Sequence, residues 1–438
     1  MSAIKLLVLL CVAALLSAQA PAPPMGWNSW DSYGTTVTED EVKANAEYMA
    51  RHMAQHGWKY IVVDIQWSDG QAKAHGYRAN AELNMDGFGR LLPAENRFPS
   101  AGDGQGFKPL ADAIHKLGLK FGIHIMRGIP RQAVRGNTPI QGTRWKAEDV
   151  ADKSSICQWN TDMYGVDVTK EGGQAYYDSI VKLYVEWGVD FIKADDMARP
   201  LHAGEIDALD KAIRKSGRPM VLSLSPGPAD VKQAAFYAAH AQMWRVSDDF
   251  WDRWVDLKKN FDLMAPWSGY SKENSWPDGD MLPLGRIGIR AERGDDRRSR
   301  FTPAEQQTLM SLWAIARSPL MFGGDLPSND PATLALITND EVLAVNQKGS
   351  RPRELFRKGE AIAWMSDAPD GRSKFLAVFH AGEGPTVDVR VDWAEIGLSG
   401  TCVVRDLWKK ADTGRVSEGQ TFSLTPHSSG LYRITPVK

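Results

Sequence analysis

Strand-like apolar runs alternate with helix-like stretches over most of this chain, and that rhythm constrains the fold more than any other feature. The runs are Met25 to Trp30, Tyr60 to Ile65, Lys120 to Met126, Phe191 to Asp195, Met220 to Ser225, Met243 to Ser247, Trp276 to Leu282 and Pro319 to Phe322. Between them lie helical patterns with readable ends. Glu39 to His56 follows Thr38, with Glu41 at the capping-box position, and Leu110 to Leu117 ends at Gly118. Gly173 to Trp187 ends at Gly188, Glu205 to Ser216 at Gly217, and Pro303 to Ala316 leads into the last run. Hydroxyl N-caps and closing glycines satisfy the free backbone groups at helix ends. Such alternation marks parallel βα units. Eight of them predict an α/β fold of the (β/α)8 TIM-barrel type rather than an open doubly wound sheet. No Gly-rich phosphate loop follows the early strands, which weakens a nucleotide-binding reading.

Near Pro352 the pattern changes to short alternating strands, Ala361 to Ser366, Lys374 to His380, Thr386 to Val391, Cys402 to Asp406, Thr421 to Leu424 and Gly430 to Ile434. Their spacing predicts an antiparallel β-sandwich. The expected organisation is a leader over 1–20, a catalytic barrel over 21–350 and a C-terminal sandwich over 351–438. The stretch Ile129 to Gly173 is too long for an ordinary βα connection and is expected to be functional or locally folded.

Lys5, the apolar run Leu6 to Leu16 and Ala18-Gln19-Ala20 read as a secretory leader cut near Ala20. The run is too short for a membrane span, and no later stretch would make one. The chain is therefore expected to be exported, periplasmic or secreted. A formal net charge of −2 at pH 7 argues against a nucleic-acid partner. The segment Arg286 to Arg300 also carries Glu292, Asp295 and Asp296 and reads as a mixed-charge solvated loop. Cys157 and Cys402 follow the leader, far apart in sequence and in different expected domains, and are expected to be free, partly buried thiols. Nothing in the pattern signals an oligomeric state.

In a parallel barrel, catalytic groups sit at the carboxyl ends of strands. Asp64, His124, Asp195, Asp249 and Asp280 all fall at or just past predicted strand ends. Lys193 precedes Asp195 by two residues, so it shares that strand face and is expected to hold the carboxylate ionised, as suits a nucleophile. Asp249 has Trp244, Trp251 and Trp254 nearby in sequence, and desolvation by them is expected to raise its pKa toward that of a proton donor. Arg245 either bridges to substrate hydroxyls or forms a structural ion pair. Two strand-end carboxyl groups are what glycoside hydrolysis requires. Sixteen tryptophans, among them Trp27, Trp30, Trp67, Trp159, Trp244, Trp267 and Trp276, offer faces that stack on sugars, and a few are expected to do so. The nine histidines are scattered, without the clustered set of a metal-dependent hydrolase, and no G-x-S-x-G elbow occurs. No metal or other cofactor is called for.

Specific motifs then resemble one family. They are Pro23-Pro24-Met25-Gly26-Trp27-Asn28-Ser29-Trp30, the strand ending in Asp64, Lys193-Ala194-Asp195, and Trp244-Arg245 with Asp249 four residues on. Trp276-Pro277-Asp278-Gly279-Asp280, Trp313 to Leu320, Arg405-Asp406-Leu407-Trp408 and Pro426-His427 follow in the same order. Together they resemble glycoside hydrolase family 27, the α-galactosidase/melibiase group. The resemblance implies a retaining exo-glycosidase, an α-galactosidase that releases terminal α-D-galactosyl residues by double displacement through a covalent glycosyl-enzyme, with Asp195 as nucleophile and Asp249 as general acid/base. Trp27, Asp64, Lys193, Arg245 and Asp280 would bind the sugar of an oligosaccharide or polysaccharide side chain, with Ile65, Trp67 and His124 beside them.

The departures bear on the sugar. Ile65 stands where the family carries a second acid that binds the hydroxyls around C4 and C6. Strand three ends in His124-Ile125-Met126-Arg127-Gly128 instead of a tyrosine and Asp-x-Gly, and Asp196-Met197 replaces a small residue and a disulfide-forming cysteine. Ser225-Pro226-Gly227-Pro228 lacks the larger residues often lining the C2 side. An apolar Ile65 suits β-L-arabinopyranose, which matches α-D-galactose without its hydroxymethyl group, and a small fifth loop suits an N-acetyl group at C2. A non-catalytic carbohydrate-binding barrel is the alternative of another class, and the presence of both acids counts against it.

Overall fold

The computed structural model describes residues 19–78 and 80–437. The leader expected over 1–20 falls outside these residues except for Gln19 and Ala20. Among the described residues, eight parallel strands form the central sheet. They are β1 (Met25–Asn28), β2 (Tyr60–Val63), β3 (Lys120–Met126), β4 (Phe191–Asp195), β5 (Val221–Leu224), β6 (Met243–Arg245), β7 (Trp276–Asp278) and β8 (Leu320–Phe322). Their spatial order is β7-β6-β5-β4-β3-β2-β1-β8. The run expected as one strand from Trp276 to Leu282 breaks after Asp278, where Asp280 adopts φ 88. Leu282 then resumes parallel pairing, donating its N–H to Met321 and accepting from Gly323, so the barrel closes against β8.

Helix starts follow the sequence signals. Thr38 and Glu41 form the expected capping box of Glu39–His52, and Thr302 with Glu305 forms another at Pro303–Ala316. Gly188 closes Glu171–Trp187 at φ 83, a left-handed turn that costs glycine least. Gly26 lies against β2: a Cβ there would stand 2.6 Å from the Tyr60 carbonyl oxygen.

Strand parity separates two apolar layers. Tyr60, Val62, Phe191, Val221, Met243, Trp276 and Met321 form one cluster inside the barrel. Trp27, Ile61, Val63, Ile123, Ile192, Leu222 and Trp244 join the outer core with the surrounding helices. The long connection after β3 is locally folded, with Met163–Val166 pairing both Ile129–Pro130 and Ala151–Asp152.

The C-terminal domain is a two-sheet sandwich. Its larger sheet runs, in spatial order, Ser350–Lys358, Ala361–Asp367, Lys374–His380, Ser429–Pro436, Thr401–Asp406 and Ala411–Ser417. Val387–Asp392 pairs with Gly419–Leu424 opposite it. Ala363, Met365, Leu376 and Val378 pack toward that pair, whereas Ile362, Trp364, Phe375 and Phe379 join the core shared with the barrel. The two strands that sequence reading missed, Ser350–Lys358 and Ala411–Ser417, are the sheet's edges. Edge strands carry charge and proline rather than an apolar alternation, which hides them. No described helix is long and apolar enough to cross a membrane. Cys157 and Cys402 are both free and buried.

Candidate active site

The parity that fills the barrel with Val62, Phe191, Met243 and Trp276 places Asp64, Lys193, Asp195, Arg245 and Asp278 on the same inner face, nearer the carboxyl ends. His124 joins them, in register with Lys193 across the β3–β4 pair. These groups form two charged clusters.

The first is centred on Asp64 and Asp195. Lys193 Nζ donates to Asp64 Oδ2 at 2.8 Å, and Asn28 Nδ2 donates to the same oxygen at 2.7 Å. His124 Nε2 lies 3.1 Å from Asp195 Oδ2, and the backbone N–H of Asp196 donates to Asp195 Oδ1 at 2.9 Å. Burial alone would raise the Asp195 pKa. The hydrogen bond and charge of His124, followed by the charge of Lys193, overcome it and hold the carboxyl well below the ordinary range. Asp64 is likewise lowered against burial, chiefly by Lys193 and His124. Lys193, expected to hold Asp195 ionised, does lower it through its charge, but its hydrogen bond goes to Asp64, and the contact to Asp195 comes from His124. His124, read from sequence as a sugar contact, is 1% exposed and serves as a carboxylate partner.

The second cluster is built around Arg245. Its Nη2 donates to Asp249 Oδ1 at 3.2 Å, and its Nη1 lies 2.9 Å from Asp280 Oδ1. Asp280 Oδ2 accepts the Phe250 N–H at 2.8 Å. Burial raises the Asp280 pKa, Arg245 opposes that, and Asp249 adds to it. Behind them, burial and the charge of Asp280 push Asp278 up to about 7. The apolar surround expected for Asp249 is absent, since its side chain is 39% exposed. Trp244 packs on Tyr237 and Trp267 in the outer core, and Trp254 stacks on His427 of the sandwich.

Two predicted sugar contacts face away. Trp27 is fully buried in the outer core and donates to the Gly324 carbonyl. Trp67 packs edge-on against Phe107 and Trp187 and donates to the His124 carbonyl. Parity gives the reason for Trp27: on β1 it is Gly26 and Asn28 that point inward. Trp30 belongs to the inner cluster and stacks on Tyr77 at 5.6 Å.

Tyr77 was missed by sequence reading. It comes from the loop after β2, where no periodicity marks it. Its ring packs against the inner cluster through Trp30, and its phenol is raised by burial and then by the charges of Asp195, Asp64, Glu292 and Asp249. Glu292 belongs to the segment read as solvated. Arg290 there pairs with Glu41, Arg297 with the buried Asp252, and Ala291 enters the inner cluster. The segment is mixed in charge as expected, but it folds onto the barrel mouth.

Ile65 is buried in the inner cluster with Met126, Cys157 and Met163. Cys157 and Met163 come from the connection after β3, so that folded segment is part of the site's wall. Burial and the nearby Asp196 charge push the Cys157 thiol up to about 12. Beneath Asp195, Arg127 Nε donates to both the carbonyl and the carboxylate of Asp196, and its Nη1 donates to Glu205 at 2.6 Å. Tyr177 donates to Glu205 in turn. This buried ionic network braces the strand end where Met197 replaces the disulfide-forming cysteine of the family pattern.

The family profile for alpha galactosidase A matches residues 142–348, and that for the alpha galactosidase C-terminal beta sandwich domain matches 358–434. A GH27 β-L-arabinopyranosidase from Geobacillus stearothermophilus is 53% identical, with a TM-score of 0.94 over 96% of this chain and 97% of that one. A candidate α-N-acetylgalactosaminidase from Bacillus halodurans is 47% identical, with a TM-score of 0.87 over 95% and 97%. Alpha-galactosidase 2 of Arabidopsis thaliana is 27% identical over 96% of this chain and 91% of its own length. With both domains matched and near-complete coverage at this identity, the chain belongs to glycoside hydrolase family 27.

Proposed function

We propose that this glycoside hydrolase is an exported, retaining exo-glycosidase that releases terminal β-L-arabinopyranose in preference to α-D-galactose. Asp195 attacks the anomeric carbon. Asp249 protonates the leaving oxygen and then deprotonates the incoming water. His124 and Lys193 keep the nucleophile ionised, while Asp64, Lys193, Arg245 and Asp280 bind hydroxyls. The Ala-x-Ala leader supports export.

The observation that carries the choice of sugar is Ile65 within its apolar patch of Met126, Cys157 and Met163. A hydroxymethyl group facing that patch gives up its hydration without gaining a partner, at a cost of about 1–3 kcal/mol for an unsatisfied hydroxyl. A pentopyranose has no such group. The likeness to the Geobacillus β-L-arabinopyranosidase, a variant of which has been crystallised with arabinose, supports the same choice. The short fifth-strand loop has a packing reason of its own. A Cβ on Gly227 would lie 2.0 Å from the Ser247 carbonyl oxygen, so the loop rests directly on the backbone after β6.

The test is a side-by-side comparison of aryl β-L-arabinopyranoside, α-D-galactoside and α-N-acetylgalactosaminide. The arabinopyranoside should have the highest kcat/KM, and a faster galactoside would overturn the preference. Ile65→Asp should move the galactoside-to-arabinopyranoside ratio up by about tenfold or more, since a charge-assisted hydrogen bond contributes ~1.5–3 kcal/mol.

A further inference from the structure

Three aromatic rings run in series from the closed part of the site to its open edge. Trp30, in the inner cluster, stacks on Tyr77 with centroids 5.6 Å apart and planes at 22°. Tyr77 meets Trp159 at 5.4 Å and 48°. Trp159 belongs to the folded connection after β3, and at 40% it is among the most exposed large apolar side chains described. That exposure has a counterpart in the chemistry. The groups around Asp64 and Asp195 are exposed by 14% or less, whereas Asp249 is 39% exposed. The sugar ring to be released therefore occupies the buried end, and the bond to be broken points past Asp249 toward solvent. Glu292, half-buried, follows Ala291 of the inner cluster, whose carbonyl lies 2.8 Å from His75 Nδ1 two residues before Tyr77; burial, with the Asp249 charge adding to it, raises the Glu292 pKa. Asp249, Glu292, Tyr77 and Trp159 thus share the rim, on the side through which a leaving group must pass.

We propose that Trp159, backed by Tyr77, forms a stacking platform for the first sugar of the leaving group, with Glu292 as the acceptor for one of its hydroxyls. A neutral pyranose presents a C–H face that suits an indole, and its opposite hydroxyls suit a carboxylate. The platform thereby favours substrates in which the terminal sugar is attached to another sugar over those in which it is attached to a small group. This inference rests on the glycosidase reading and not on which sugar is released.

The experiment uses the sugar that the unsubstituted enzyme prefers, presented in two forms: its glycosyl fluoride, which has no leaving-group sugar, and its disaccharide with galactose at the leaving end. Trp159→Ala should lower kcat/KM for the disaccharide about tenfold further than for the fluoride, which corresponds to 1.4 kcal/mol of lost stacking. Trp159→Phe should recover most of that difference, and Glu292→Gln should lower only the disaccharide value by a smaller factor. Equal losses on both substrates, or none on either, would overturn the platform. A preference for the galactosyl over the arabinopyranosyl fluoride would instead count against the sugar assignment, leaving the Trp159 comparison intact.

Discussion

The two carboxyl groups assigned to the chemistry are held in opposite ways. Asp195 is nearly enclosed, with one oxygen against His124, the other on the Asp196 N–H, and the Lys193–Asp64 pair beside it. Asp249 is open to solvent and touched by a single guanidinium nitrogen at 3.2 Å. A nucleophile must stay charged and aimed, and fixed hydrogen bonds do both. A group that gives up a proton in one half-reaction and takes one back in the next works best where neither state is locked in. The contrast in burial follows the contrast in duty.

The sharpest way to break this comparison is to remove the fixed carboxylate. Asp195→Ala should reduce aryl glycoside hydrolysis by about 10⁴-fold or more, with the far-UV circular dichroism unchanged. Retained turnover would remove Asp195 from the nucleophile role. Asp249→Ala should cost less, about 10²–10⁴-fold on an alkyl or sugar leaving group. With a dinitrophenyl leaving group, which departs without protonation, the first step should be largely restored and a burst should appear. A uniform loss across leaving groups would remove Asp249 from the acid role. The mildest change tests the bracing. Asp195 is held low by His124 and Lys193, so the acid limb of kcat/KM should lie below the ordinary carboxylate range. His124→Gln removes the leading cause, which raises the Asp195 pKa and moves the acid limb of kcat/KM upward by about one pH unit. The basic limb should stay in place, and an unmoved acid limb would assign the bracing to Lys193 alone.

Much of this was legible in the residues. Strand-end carboxylates were found because strand parity and the barrel rule put them in one place, and Asp64, Lys193, Asp195, Arg245, Asp249 and Asp280 do assemble there. Parity also contained a correction that was not drawn from it: with Met25 and Trp27 outward on β1, Asn28 must face in, and the tryptophan available to the site is Trp30. Pairing was less legible than placement. Lys193 is two residues from Asp195 in sequence, yet it donates to Asp64, because the inward face of a closed barrel lets side chains of β2 and β4 meet over the β3 strand between them. The loop residues Tyr77 and Glu292 had no sequence signal. Their segments lack periodicity, and only the folded chain places them over the barrel mouth.

Ala20 gives the N-terminus a constraint of its own. The residue is buried, its carbonyl accepts from the Trp276 indole at 2.9 Å and from the Asn274 N–H at 3.0 Å, and its own N–H donates to Asn274. It therefore seals the end of the barrel opposite the site, at the foot of β7. Yet a peptidase reading Ala18-Gln19-Ala20 in the usual way would discard it with the leader, leaving an indole N–H without its acceptor. A cut after Ala18 would keep the seal. Under the proposed export, secretion and folding would make competing demands on one alanine, and the first residue of the mature chain, read by intact mass, would show which of them prevails.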